Sequence, residues 1–400
     1  MQEPIAKTSK NFKKKILSLT SWRFLMILTI VISHFEFFGN GIGTGELVSN
    51  VGNFYDYHFH NAGMGVAFFF IMSGFGLTYS AFIKNNMNLF TSKWTFSFGY
   101  RYAKKKMNKL WKWYIFTIII GIPLELYGIF AYHDAIKGLC VFMVRFLVVL
   151  SLLQSGTGST DFSHAFNGVC WFLSTLFILY IIYPILFKIN QRIKENIKLI
   201  WLGICLVNIL YFIFHILFEK VDDSLALFND FAYGSPYIRV FQFFLGILLC
   251  DLFIWVKQSK YMKKISILCG KIELGLLAIF FIWYLEKNDI YYGRFGEIKD
   301  FLDMVFVALI IFVYAFECGI ISHIFQDNKF VLLGSVSMYV FLIHYPIRMN
   351  TWRILSTLFG TGISVKVITL VIVIIGTCVM TILMRTYDNK KKRIIDKKNV

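Results

Sequence analysis

The chain has 400 residues, of which 57% are hydrophobic, 18% aromatic and only 16% charged. That balance excludes a soluble domain of this size and points to a protein that crosses a membrane many times. The formal net charge of +18 would suit a nucleic-acid binder, but the cations cluster at the ends of apolar segments as the positive-inside rule requires, so no nucleic-acid partner is expected.

In chain order, Lys13, Lys14 and Lys15 precede the first apolar run and place the N-terminus in the cytoplasm. No small-residue cleavage site follows that run, so it is expected to be retained as a helix. A crossing needs roughly 20 mostly apolar residues. Segments of that kind fall at about 19–38, 62–83, 111–131, 138–154, 169–188, 198–218, 236–256, 264–284, 302–322, 331–350 and 363–385. The basic clusters at 101–109, 188–198, 257–264 and 385–398 all face the cytoplasm only if one of the segments 111–131, 138–154 and 169–188 does not cross. The short 138–154, which carries Arg145, is the segment to remove.

The expected fold is an all-α bundle of about ten transmembrane helices plus one re-entrant or interfacial element. It divides into a basic cytoplasmic N-terminus (1–18), a membrane domain (19–385) and a basic cytoplasmic tail (386–400), in a cell membrane with both termini inside. The stretch TFSFGYRYAKKKMNKLWKWY (95–114) mixes cations with aromatics. It is expected to lie along the interface before turning into the third span. The seven cysteines lack CxxC spacing and read as free thiols buried in apolar runs.

The first run, SLTSWRFLMILTIVISHFEFF (18–38), contains Arg23 and His34. Ionisable groups inside a span are costly and usually functional. Eleven steps of about 100° bring the two side chains onto one face, about 16 Å apart along the axis. An anion-binding cation at the cytoplasmic boundary and a proton-transfer group near the external side thus share a helix. The plainer reading makes Arg23 a flanking charge and His34 a paired polar residue. His58 and His60, with Asp56 beside them, have the spacing of strand-type ligands but no partner pair, so no metal site is expected. SGTGSTD (155–161) lacks the lysine and the following helix of a phosphate loop.

Four ordered stretches accompany the Arg23–His34 pair: FFFIMSGFGL (68–77), WFLSTLFILYIIYPIL (171–186), RVFQFFLGILL (239–249) and SVSMYVFLIHYPI (335–347). Together with Arg-(ten residues)-His they resemble the signature of the acyltransferase 3 family of integral membrane O-acyltransferases. One departure stands out: many members carry a Glu shortly after the Trp of the fifth helix, and WFLSTLF has none. The Trp-Phe-Leu form is similar to that of members acting on surface polysaccharides.

The resemblance implies transfer of an acyl group, usually acetyl, from cytoplasmic acyl-CoA to a hydroxyl of an envelope polysaccharide or its lipid-linked precursor. It requires no bound cofactor, acyl-CoA being the donor substrate, and its other partners are membrane lipids. His34 would deprotonate the acceptor. Arg23, helped by Arg101 and Lys105, would hold the CoA phosphates. Ser73 would orient the thioester, or else allow close helix packing beside Gly74 and Gly76. Trp171 is an interface anchor or a sugar platform. His344 lines the acceptor side or hydrogen-bonds within the bundle, and Arg239 with Gln242 offers a further acceptor contact. The competing expectation is a polysaccharide transporter or flippase, for which a bundle of ten spans is equally suited; a scaffold would explain neither Arg23 nor His34.

Overall fold

The computed structural model describes residues 12–39, 46–59, 62–84, 94–225, 227–291 and 296–398. Its helices are α1 (Leu17–Ser33), α2 (Glu46–His58), α3 (Gly63–Ile83), α4 (Phe96–Tyr132), α5 (Ala135–Leu150), α6 (Thr160–Ser163), α7 (Trp171–Gln191), α8 (Ile197–Ser224), α9 (Pro236–Gln258), α10 (Met262–Tyr291), α11 (Gly296–Ala315), α12 (Ile320–Phe325), α13 (Asn328–Phe359) and α14 (Ile363–Lys398). Among the described residues there is no strand. Helices are what hydrocarbon permits, because each satisfies its own backbone groups.

Among the described residues, eight helices are long and apolar enough to cross a membrane. Every one of the ten expected spans overlaps a helix, but α1 has only 17 residues and α11 carries Lys299, Asp300 and Asp303 near its start. The 16 residues of α5 extend only about 24 Å, short of the roughly 30 Å hydrocarbon thickness. Asp134 caps α5 by accepting from Lys137 N at 2.9 Å, and Arg145 ties it to Glu125 at 2.9 Å and Asp161 at 3.2 Å.

Two expectations are corrected. The basic aromatic stretch does not turn into the third span: Phe96–Tyr132 is one helix of 37 residues. Thr95 caps it, accepting from Phe98 N at 3.2 Å. Between there and Pro123 every residue but Gly99 and Gly121 has a side chain that tolerates a helix. The thiols are also not uniformly buried: Cys140, Cys205, Cys318 and Cys378 are exposed. Spans at the rim of a bundle turn one face to lipid, where an apolar thiol is as much at home as in the core. The exposed Leu202, Ile209, Ile282, Ile375 and Ile382 of α8, α10 and α14 mark the same rim.

The core is α1, α3, α7, α9 and the middle of α13, with fully buried Trp22, Phe70, Phe243 and Leu342. Helices α3 and α9 cross backbone to backbone. A Cβ on Gly74 would lie 2.0 Å from Phe243 O, and one on Gly246 only 1.9 Å from Ile71 O. Gly76, by contrast, faces open space. Small residues drive such contacts in membranes because lipid offers no hydrophobic incentive to associate. Gly246→Ala should therefore cost at least about 1–3 kcal/mol by overpacking. The check is a lower melting temperature of the detergent-extracted protein, with Gly76→Ala unchanged as control.

At one end of the bundle lie Lys13 and the start of α1. Glu317, in a left-handed backbone conformation, accepts from Leu17 N at 2.7 Å and Ser18 N at 3.1 Å and pairs with Lys13 at 2.6 Å. It satisfies amides that a helix start otherwise leaves open. Asp388 sits toward the same basic end and joins three helices, accepting from Lys112 and Trp113 of α4 and from Tyr339 of α13. The opposite end carries α2, α6, the end of α1 and the start of α7. There the 227–235 connection is pinned by Asp230 N to Gly158 O at 3.0 Å and by Thr175 Oγ1 to Gly234 O at 2.5 Å.

Candidate active site

His34 is the residue at which α1 stops. The open carbonyls of that helix end are taken up by other elements: Tyr55 OH of α2 donates to Ser33 O at 2.8 Å, and Arg348 Nε of α13 donates to His34 O at 2.6 Å. Arg348 also pairs with Glu36 at 2.6 Å. The backbone carrying the imidazole is thus clamped from two sides.

The ring itself is oriented by acceptors. His34 Nδ1 lies 2.7 Å from Ile30 O, a group that can only accept, so Nδ1 carries the proton. His344 Nδ1 likewise faces Val340 O at 3.0 Å, which leaves its Nε2 as an acceptor 3.2 Å from His34 Nδ1. By this assignment from the hydrogen-bond network the unprotonated nitrogen of His34 is Nε2. It makes no hydrogen bond among the described residues and belongs to a ring that lines a cavity of about 130 Å³. Glu36, His164, Trp171, Tyr233 and Tyr345 are among the other lining residues.

A missing hydrogen bond within the continuous helix α13 anchors the far wall. Pro346 has no N–H, so Leu342 O loses its helical donor. Asn167 Nδ2 supplies the replacement at 3.1 Å, and the loop before α7 is thereby anchored to α13. Next to it, Gly168 lies under Tyr345, where a Cβ would approach the ring to 2.6 Å. His164, in the same loop, contacts Ser163 Oγ at 2.8 Å, and Ser163 donates to the buried Asp230 at 2.6 Å. Burial holds the Asp230 carboxyl above the ordinary carboxylate range, with His164, Ser163 and the Gly234 amide drawing it back.

Arg23 lies deeper than a boundary charge. It interacts with Tyr180, which shares a hydrogen bond with Ser73, and both lie about midway along α7 and α3. Arg23 makes no ion pair among the described residues, and its Nε is buried without a hydrogen-bond partner. Ser73 Oγ also donates to Phe69 O at 2.6 Å, one turn back on α3.

Of the residues singled out in the sequence, the structure gathers His34, His344 and Trp171 around one cavity, and Arg23 with Ser73 one level toward the basic end. Arg239 does not reach the cavity. Its Nε donates to Tyr233 O at 2.6 Å and its Nη1 to Gln242 Oε1 at 3.1 Å, while Nη2 is buried without a hydrogen-bond partner; the guanidinium lies 5.9 Å from the Trp171 ring. Arg101 and Lys105 are exposed on α4 at the basic end. His58 Nδ1 faces Leu285 O at 3.0 Å, and His60 lies outside the described residues. Among the described residues no group of metal-ligating side chains is found. The stretch 155–161 forms a short 3-10 turn and the beginning of the four-residue α6.

Sequence reasoning missed Arg348, Glu36, His164 and Asp230. Arg348 had a signal, since it stands four residues beyond His344 on one helix face; the other three sit in connections where no periodicity points to a partner. Residues 16–385 match the profile of a family described as an acyltransferase domain. No curated protein and no solved structure matches the chain.

Proposed function

We propose, since this chain belongs to the acyltransferase 3 family, that the membrane acyltransferase it forms moves an acyl group, acetyl foremost, from acyl-CoA to a hydroxyl of an envelope polysaccharide or of its lipid-linked precursor. The observation that carries this reading is the His34 ring, which lines the cavity with its Nε2 free of hydrogen bonds among the described residues and its Nδ1 engaged by Ile30 O and His344.

In this reading Nε2 of His34 takes the acceptor hydroxyl proton as the oxygen attacks the thioester carbonyl. The C–S bond then breaks, and the CoA thiolate takes the proton back from the imidazolium. His344, through its Nε2, accepts from His34 Nδ1 throughout and fixes the tautomer. Arg23 receives the anionic end of the donor. Its eleven-residue separation from His34, about 16 Å of helix, matches the reach of an extended pantetheine arm. The basic end with Arg101 and Lys105 then faces the cytoplasm of a cell membrane, and the cavity end faces outward.

The test is the purified protein in lipid vesicles with labelled acyl-CoA and de-acylated envelope polysaccharide from the producing cells. Free thiol should appear in step with an alkali-labile acyl ester on the polymer. Movement of the polymer or its precursor across the bilayer with no thiol released would identify a transporter instead.

A further inference from the structure

The cavity contains a second imidazole whose wiring differs from that of His34. Ser163 has one hydroxyl proton, and it donates that proton to Asp230 Oδ2 at 2.6 Å. Toward His164 Nδ1, 2.8 Å away, Ser163 can therefore only accept. Nδ1 of His164 carries the proton, and Nε2, which makes no hydrogen bond among the described residues, is an acceptor on a ring that lines the cavity. The chain is anchored at its far end: Asp230 is 2% exposed and accepts Gly234 N at 2.9 Å, while its own amide donates to Gly158 O at 3.0 Å. Nothing in the proton transfer assigned to His34 uses this second ring, yet a buried carboxylate and a fully buried serine are committed to fixing it. The aromatic rings of Trp171 and Tyr233 line the same cavity and present flat apolar faces of the kind that stack on sugar rings.

We propose that His164 is an acceptor-positioning residue, taking a hydrogen bond at Nε2 from a second hydroxyl of a polyhydroxylated acceptor laid against Trp171 and Tyr233, with Ser163 and Asp230 holding its tautomer. The proposal rests on the acyltransferase reading above. Two hydroxyls of one sugar then meet two imidazole lone pairs, one as the reacting group at His34 and one as the register at His164. An acceptor with a single hydroxyl has nothing to offer His164, so the residue discriminates between carbohydrate and simple alcohol.

The experiment compares wild type, His164→Ala, His164→Gln and Ser163→Ala in vesicles, with two probes: de-acylated envelope polysaccharide and 1-butanol. One neutral hydrogen bond corresponds to about a 3- to 10-fold change. His164→Ala should raise the polysaccharide KM by that factor, leave the acyl-CoA KM unchanged, and lower the rate of transfer to butanol by a smaller factor. His164→Gln, whose amide oxygen accepts, should recover most of the loss, and Ser163→Ala should lose less than His164→Ala. Equal losses on polysaccharide and butanol, or an unchanged polysaccharide KM in His164→Ala, would overturn the positioning role while leaving the acyltransferase reading intact. Absence of transfer by wild type to either probe would overturn that reading and this one with it.

Discussion

Substituting His34 by glutamine should lower acyl transfer by about 10²- to 10⁴-fold, the range supplied by a positioned general base, without preventing assembly of the bundle. Glutamine keeps an N–H that can be offered to Ile30 O or His344, and the clamp on the backbone is made by Arg348 and Tyr55 through carbonyls that the substitution does not touch. The amide has no basic lone pair, so the acceptor oxygen must attack with its proton in place. Initial rates of thiol release with saturating polysaccharide measure this directly. A variant that keeps more than a tenth of the wild-type rate would remove the base assignment. His344→Gln should cost less, since it acts only through the tautomer of its neighbour, and should move the pH–rate profile as well as the rate.

The second large effect is expected at Arg23. Hydrogen bonds to charged groups contribute roughly 1.5–3 kcal/mol. Losing the guanidinium should therefore raise the acyl-CoA KM by one to two orders of magnitude, with the acceptor KM unaffected. Arg23→Lys keeps the charge but not the planar fork, and should recover only part of the affinity. The same substitution carries a stability signature. In the free protein Arg23 holds a buried Nε with no partner, and such a group costs free energy. Arg23→Ala should melt no lower than wild type, and above it if the site repacks. That combination of lost donor affinity and retained stability separates a ligand-binding cation from a structural one. A drop in melting temperature with donor KM unchanged would reverse the assignment.

Much of the helical frame was legible because the bilayer makes secondary structure a local matter: a run of apolar residues long enough to cross must be helical whatever it packs against. Even so, α4 shows where local reading stops. Composition flagged its aromatic cations as interfacial, but only the observed continuity of the helix through Phe96–Tyr132 decides that they form its first turns. The thiols illustrate the same limit, since hydrophobicity does not say whether Cys205 or Cys378 faces a neighbour or lipid.

The candidate site divides in a similar way. Arg23 and His34 were visible as charged and titratable groups on one helix, because the cost of placing them in a span is a property of the residues themselves. His344 stood out as a second imidazole before a proline. That these two imidazoles meet was not visible. The contact joins residues 310 positions apart and depends on how closely α1 approaches α13, where Gly334 leaves room for Thr20 O. His164 and Asp230 were invisible for a stronger reason: each lies in a connection, and they are linked through Ser163 across two loops, one anchored to α13 by Asn167 and the other to Gly158 by the Asp230 amide.

What the sequence determined alone is the apolar helical segments, the basic end, and the presence on one rod of a cation and an imidazole; hydrophobic length and the cost of buried charge suffice for those. What only the tertiary structure decided is which nitrogen of His34 is left with a lone pair, how deep Arg23 sits, and which loop residues close the cavity. Those depend on close approaches between distant backbones, set by glycines, by a proline and by carbonyls in search of donors, and no property of a single segment encodes them.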